Sequence, residues 1–213
     1  MSVKLPNGVV LALATAYGPA IPVTALTNAN PAAATAAAHG LTNGDLFEIT
    51  SGWSRLNARI ARTAGSTTNN FNYEGLDTTS TTLFPAGAGG GSVRKISTWT
   101  PISQILDLQS SGGDMQFTSY SFLENDFETQ MPTQASAQTL TMTIADDATL
   151  AGYQALKAAA LTRVATALRA TLPDGSLLLY NGIISFDETP SMTKNQVMAV
   201  KATFSLQGRP VRY

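Results

Sequence analysis

Apolar and polar residues alternate with a period of two in many segments of the chain, a pattern that predicts β-strands. The clearest stretch is residues 139–144, where threonines alternate with Leu140, Met142 and Ile144. Residues 196–206 repeat the pattern, with apolar side chains at the even positions from 198 onward. Each of these strands is therefore expected to have one buried face and one polar face.

A single amphipathic helix is predicted between these two strands, over residues 150–161, with Asp146-Asp147 as its N-cap. Residues 163–172 and 177–186 are predicted to be strands joined by a turn at Pro173-Asp174-Gly175. The C-terminal part is thus predicted to contain a strand, a helix and three antiparallel strands.

The N-terminal half has two stretches that favour long β-structure. Residues 8–26 predict a strand, a turn at Gly18-Pro19 and a second strand. Residues 92–108 predict one long strand that bends at Pro101.

Two segments of small residues between these stretches are predicted to be linkers, one at residues 28–38 and one in the glycine-rich run 85–92. Short strands between the linkers predict a small all-β module. They lie at residues 46–49, 53–64, 69–76 and 80–83. The expected organisation is a core domain of residues 1–30 and 96–213 and an inserted module of residues 31–95 with flanking linkers.

Residues 115–137 combine many aromatic residues with acidic ones and end in a polar run. This composition predicts a long connection of low intrinsic order, and such connections are usually functional. Its aromatic residues are too numerous to stay in water, so they are candidates for a contact between subunits. They are Phe117, Tyr120, Phe122 and Phe127.

The composition narrows the possible functions. Charged residues make up only 13% of the 213 residues, against about 25% in an average globular protein. The formal net charge of −1 disfavours a nucleic-acid binder that neutralises phosphates. The chain instead has 31 Ala and 28 Thr, a composition that suggests surface hidden in an assembly.

The inventory of reactive residues disfavours catalysis. The chain has no Cys and one His, His39, so thiolate metal sites and most nucleophile–base pairs are excluded. The run 87–91 lacks the Lys and Ser or Thr of a phosphate-binding loop, and it is better explained as a linker. The acidic residues at 124, 126 and 128 lack the loop of an EF-hand, and an acidic strand is favoured over a calcium site. A nucleic-acid patch at Arg55, Arg59 and Arg62 is the weaker interpretation. No enzyme activity, cofactor or metal is predicted.

No apolar run has the length of a membrane span, and the N-terminus lacks the apolar stretch of a signal peptide. A soluble protein made inside the cell is therefore expected, with no membrane partner.

An ordered series of elements distinguishes the C-terminal part. It comprises the turn Leu172-Pro173-Asp174-Gly175, the strand at 180–185, the link at 189–194 and an ending at 200–210 that includes Gly208-Arg209-Pro210. In this order, and with one helix upstream, the elements resemble the major tail tube protein of lambda-like long-tailed phages. The resemblance covers the chain apart from roughly residues 28–96. The chain ends at Tyr213, with no counterpart of the C-terminal immunoglobulin-like domain of the lambda protein.

The resemblance implies a mainly β fold, an antiparallel sandwich or half-barrel flanked by one helix, that closes into a β-barrel ring on oligomerisation. It implies hexameric rings that stack into a hollow tail tube and conduct DNA. Implied partners are other copies of the chain, the tail tip or initiator complex, the tape-measure protein and the tail terminator. The implied location is the virion, after assembly in the host cytoplasm.

The polar strand faces are candidates for the lumen, because small neutral side chains would not retain passing DNA. The candidate residues are Thr139, Thr141, Thr143, Lys201, Thr203 and Ser205. Two alternatives stay open at this point. One is a tube subunit of type VI secretion, and the other is a carbohydrate-binding β-sandwich module.

Overall fold

The computed structural model describes residues 7–213, and residues 1–6 of the N-terminus considered above lie outside this range. The described chain folds into a curled antiparallel half-barrel sheet with one helix, which confirms the predicted mainly β fold class. Its strands are β1 Val10–Val23, β2 Ala25–Leu26, β3 Ala32–Thr35, β4 Leu46–Ser51, β5 Ile60–Ala64, β6 Asn70–Tyr73, β7 Gly91–Ile102, β8 Ile105–Ser111, β9 Met115–Tyr120, β10 Thr129–Ala135, β11 Thr139–Ala145, β12 Thr166–Thr171, β13 Leu177–Ser191, β14 Ala199–Leu206 and β15 Val211–Arg212. The helix α1 is Ala151–Thr162.

Thirteen strands belong to one sheet, in the order β2-β3-β6-β5-β4-β7-β1-β12-β13-β14-β11-β8, with β15 paired to β13. The longest pairing joins β1 to β7 and runs from Leu11 opposite Ile102 to Val23 opposite Gly91. Register shifts between Ala14 and Ala20 interrupt this pairing. Because β-bulges bend a strand and increase its twist, β1 and β7 curve along their length and belong to both halves of the sheet.

One apolar cluster lies between α1 and the C-terminal half of the sheet. It contains Leu140, Met142, Val200 and Phe204 from the alternating strands, together with Leu156 of the helix and others. The predicted order of strand, helix and three antiparallel strands is confirmed. The burial of every second residue follows from the alternation in the sequence.

A second apolar cluster fills the other half of the sheet and draws mostly on the predicted inserted module, including Phe47, Trp53, Phe71 and Tyr73. A third, smaller cluster joins the halves, because Leu46 and Ile60 pack with Ile96, Ala167 and Leu179. The module is also hydrogen-bonded into the sheet, through β4 and β7. That residues 31–95 form a separable unit stays a prediction.

A buried polar contact also joins the two halves. The Asn181 amide donates to Glu48 Oε1 at 2.9 Å, and Arg94 donates to Glu48 Oε2 from Nε at 3.1 Å. The Arg94 guanidinium lies over the Tyr17 ring, 4.9 Å from its centroid. Burial is the largest cause that raises the pKa of Tyr17 to about 12. Tyr17 is therefore neutral at neutral pH, and it meets the Arg94 guanidinium as an uncharged ring.

Both predicted linkers are packed structure instead. Residues 32–35 form β3, in which Ala32 and Ala34 are fully buried, because small side chains let this strand pack closely on the aromatic cluster. In the glycine-rich run, a Cβ on Gly89 would lie 2.9 Å from the Trp53 ring. The Trp53 indole also donates to the Pro85 carbonyl at 2.8 Å. Gly89 and Gly91 therefore permit close packing, whereas the exposed Gly87 has a φ of 78° and no neighbour within 4 Å.

Several strand boundaries also differ from the sequence prediction. Residues 10–23 form one bulged strand, so the predicted turn at Gly18-Pro19 is wrong. The break after β7 falls at residues 103–104, where Gln104 has a φ of 57°, and not at Pro101. The first part of the predicted strand 53–64 is a turn, and residues 80–83 form no strand.

The helix begins without the predicted cap. Leu150 is the N-cap residue and makes no side-chain cap, while Asp147 accepts hydrogen bonds from Thr149 N and Thr149 Oγ1 at 3.0 and 2.6 Å. The aspartate thus shapes the turn before the helix. Within the described range, no helix has the length and apolar character needed to cross a membrane.

Close packing of α1 on β7 yields a test of the core. A Cβ on Gly152 would lie 2.8 Å from both Ile102 Cα and the Pro101 carbonyl oxygen. Gly152→Val should therefore lower the free energy of unfolding by about 1–3 kcal/mol through overpacking. Urea unfolding measures the effect. The control Ala158→Val, at an exposed position of the same helix, should change it by less than about 1 kcal/mol, and equal effects of the two changes would contradict this packing.

Candidate assembly surfaces

The polar residues predicted on two separate strands meet on one face of the sheet. β11 and β14 are neighbours, and their register places Thr139 opposite Ser205, Thr141 opposite Thr203 and Thr143 opposite Lys201. Residues directly opposite each other in an antiparallel pair share a face of the sheet. The six candidates therefore form three adjacent cross-strand pairs.

The same face continues onto the two flanking strands. On β8, Asp107, Gln109 and Ser111 lie opposite the three threonines of β11. On β13, the residues opposite Ser205, Thr203 and Lys201 are Ile183, Ser185 and Asp187. We call these twelve residues of β8, β11, β14 and β13 the polar face. The polar face contains one cation, Lys201, and two carboxylates, Asp107 and Asp187. The alternation of apolar and polar residues in 105–111 is the sequence signal that could have placed β8 beside β11.

The sheet ends at β8, whose outer edge pairs with no strand among residues 7–213. Leu108 lies opposite the buried Met142 and is 38% exposed, and Leu106 is 53% exposed. The apolar side of the sheet therefore extends past the part that α1 covers. An unpaired strand edge with exposed leucines is a surface that another chain can cover.

Residues 115–135 form a two-stranded hairpin of β9 and β10, separate from the main sheet. The sequence predicted low intrinsic order here, and that prediction is wrong for the secondary structure. β9 and β10 pair regularly, from Thr129 opposite Tyr120 to Pro132 opposite Phe117, and this pairing satisfies the backbone hydrogen bonds. At its base, Gly112 and Gly113 adopt φ of 78° and 90°, which redirect the chain after β8.

Nearly every residue of the hairpin is exposed. The four predicted contact residues all lie on it, with Tyr120 and Phe122 in edge contact at 5.7 Å between ring centroids. The exposed fractions of Phe117, Phe122 and Phe127 are 57, 60 and 72%. Their aromatic surface packs against no apolar cluster of the described chain, so it is available to a partner.

Two other candidate residues, His39 and Arg62, serve local structure. His39 Nδ1 accepts a hydrogen bond from Leu41 N at 3.0 Å, in agreement with the predicted turn. Arg62 forms a bidentate pair with Glu74, at 2.6 and 2.5 Å. The described residues contain no cluster of three or more side chains suited to bind a metal ion.

Comparison with protein families decides between the alternatives that the sequence left open. The model of the phage tail tube protein family matches residues 51–213. The chain belongs to the phage tail tube protein family. A search of curated proteins gave no match.

Membership assigns the protein a structural role in the tail tube of a phage. A tail tube protein is a component of the virion and associates with itself. The family is not known for catalysis. The exposed hairpin, the open edge of β8 and the polar face are therefore the surfaces to consider for assembly.

The exposure of the hairpin aromatics generates a test on the isolated subunit. Replacing Phe122 and Phe127 together with Ser should change the free energy of unfolding by no more than about 0.5 kcal/mol, because neither ring supports a core. Phe204→Ala, in the buried cluster under α1, should lower it by about 3–5 kcal/mol. Urea unfolding of dilute subunits measures both, and a large loss for the double variant would place those rings in the fold.

Proposed function

We propose that the protein forms hexameric rings that stack into the hollow tail tube and conduct phage DNA into the host. The observation that carries the proposal is the polar face on a sheet with an open edge, in a member of the tail tube family. An open edge leaves backbone groups and Leu106 and Leu108 uncovered. Pairing with the next subunit would cover them and close the half-barrels into a continuous barrel.

The polar face lines the lumen of this barrel. Strands of a barrel alternate between inward and outward residues, and the side opposite the polar face already packs on α1. Lys201 is the one cation among the twelve residues, and seven of the twelve have small hydroxyl side chains. Such a lining neutralises few phosphates, so DNA passes without being held.

The hairpin aromatics make the contact between stacked rings. Phe117, Tyr120, Phe122 and Phe127 extend on an arm that leaves the sheet at Gly112 and Gly113. In this proposal the arm, although paired as a hairpin, moves relative to the sheet in the free subunit and becomes fixed only when rings stack. The entropy lost at that step slows premature polymerisation. An initiator complex at the tail tip then controls where the tube begins.

The remaining partners are the tape-measure protein and the tail terminator, and assembly takes place in the host cytoplasm. No enzymatic step, cofactor or membrane contact is required, because ring closure and stacking need only the self-association of folded subunits.

Electron microscopy of concentrated protein, or of the particle that contains it, tests the proposal. Hollow tubes built of hexameric rings are expected. The double change of Phe122 and Phe127 to Ser should abolish tubes while the subunit stays folded, because it removes apolar contact area from the stacking surface. A monomer at every concentration, together with a native particle that has no tube, would refute self-assembly.

A label on the polar face tests the lumen assignment. The chain has no cysteine, so Thr141→Cys provides a single attachment site for a maleimide-linked gold cluster. Labelled subunits mixed with unlabelled ones should place gold density inside the channel of the tubes. Thr81→Cys, at an exposed position outside both the polar face and the hairpin, is the matched control and should place the gold density outside the channel. Gold from Thr141→Cys on the outer wall would reverse the assignment.

A further inference from the structure

A groove lies at the base of the hairpin and has a volume of about 620 Å³. One wall comes from the turn after β4, at residues 54–57, and another from the segment after β14, at residues 206–210. The third wall is the base of the hairpin itself, at residues 113–115 and 135–138. We call it the basal groove.

Two exposed cations line the basal groove, Arg55 and Arg209. Neither takes part in an ion pair with a described residue. The only carboxylate next to the lining residues in sequence is Asp114, which is not itself part of the lining. The groove therefore presents two guanidinium groups that have no ion-pair partner among the described residues.

A third cation, Arg59, lies close behind them. The position of a Cβ on Gly208 would fall directly against the Ala58 carbonyl oxygen, so the two segments that hold Arg59 and Arg209 are packed together. The buried Arg59 Nε has no hydrogen-bond partner among the described residues. Burial is the main cause that lowers the pKa of Arg59, and the charge of Arg209 acts in the same direction. The charge of Tyr213 opposes this lowering. Arg59 does not line the groove, so Arg55 and Arg209 are the cations that an incoming anion would meet.

The lining also includes apolar side chains, from Met115, Leu206 and Pro210. Met115 is 49% exposed, so this apolar surface is open to a partner. A ligand that fits the groove therefore carries both negative charge and a large apolar side chain.

The tip of the hairpin has this combination. Residues 122–128 contain Phe122 and Phe127 together with Glu124, Asp126 and Glu128, and all of them are exposed. None of the three carboxylates forms an ion pair with a described residue. Charge and apolar surface thus match between the tip and the basal groove.

The tip cannot reach the groove of its own chain. The six residues of β9 span roughly 20 Å at about 3.3 Å per residue, and they hold the tip away from the base. The contact must therefore be made with a second copy, head to tail. Head-to-tail contacts generate rings or open helical polymers, as a tube requires.

We infer that the basal groove is the receptor for the hairpin tip of another copy of this chain, with Arg55 and Arg209 pairing with Glu124 and Asp126. This inference rests on the proposed function, because it names the two surfaces that meet when rings stack. Phe122 or Phe127 fills the apolar part of the groove.

A charge swap tests the pairing. Arg55→Glu with Arg209→Glu, and separately Glu124→Arg with Asp126→Arg, should each reduce the sedimentable tube fraction at least about tenfold, because like charges then meet. All four changes in one chain should restore tubes to within about threefold of the unchanged protein. Urea unfolding should show all variants equally stable, since the four positions are exposed.

A matched control separates pairing from net charge. The control variant keeps the tip changes Glu124→Arg and Asp126→Arg but places the new carboxylates elsewhere, as Arg163→Glu and Lys194→Glu. It has the same net charge as the swap, and its two new carboxylates lie outside the basal groove. This control should not restore tubes. Restoration by the control, or failure of the true swap to restore, overturns the inference.

Cross-linking gives a second measurement that does not rely on altered charges. Because the chain has no cysteine, Asn125→Cys with Ser54→Cys offers one tip site and one groove site. A short bismaleimide should convert tubes of this variant into a ladder of covalent multimers, while Asn125→Cys with Thr193→Cys should give none. Tubes without the ladder would overturn the inference and leave the proposed function intact, whereas absence of tubes from the unchanged protein would refute the proposed function itself.

Discussion

The pairing of β1 with β7 is the constraint on which the rest of the structure depends. These two long strands contribute to all three apolar clusters, through Leu11 and Ile102 at one end, Ile96 in the middle and Val23 and Val93 at the other. Because the bulges between Ala14 and Ala20 bend the pair, its two ends can contact different apolar clusters.

In the part of the sheet formed by β11 and β14, one face is apolar and the other is polar. Where α1 packs, the even-numbered residues of β11 and β14 are buried, and the polar residues between them form the opposite, open face. The strand alternation thus separates folding from assembly. Leu140 and Phe204 stabilise the subunit, while Thr141 and Thr203 are free to serve the tube.

The two kinds of exposed apolar surface have different meanings for assembly. Leu106 and Leu108 lie beside an unpaired strand edge, where backbone pairing sets the register of a neighbour. The hairpin rings lie on an arm outside the sheet, and in the proposed tube side-chain contacts and charge select the partner there. The proposed tube uses both surfaces, because closing a ring and stacking rings are separate contacts in different directions.

The sequence alone determined which residues face the core in the C-terminal part, because a period of two is a local property of a strand and each helix turn repeats within a few residues. It also identified the aromatic segment, and the order of the C-terminal elements indicated the family. The tertiary structure decided which strands are neighbours, since β11 and β14 are separated by more than fifty residues of chain and pair only through the completed sheet. The tertiary structure likewise decided whether the small residues form linkers or packed structure. Ala32, Ala34 and Gly89 match a linker in composition, yet the rings of Phe71 and Trp53, which come close only in the folded chain, require small residues beside them. The basal groove joins segments from three distant parts of the chain, and no local pattern encodes such a meeting.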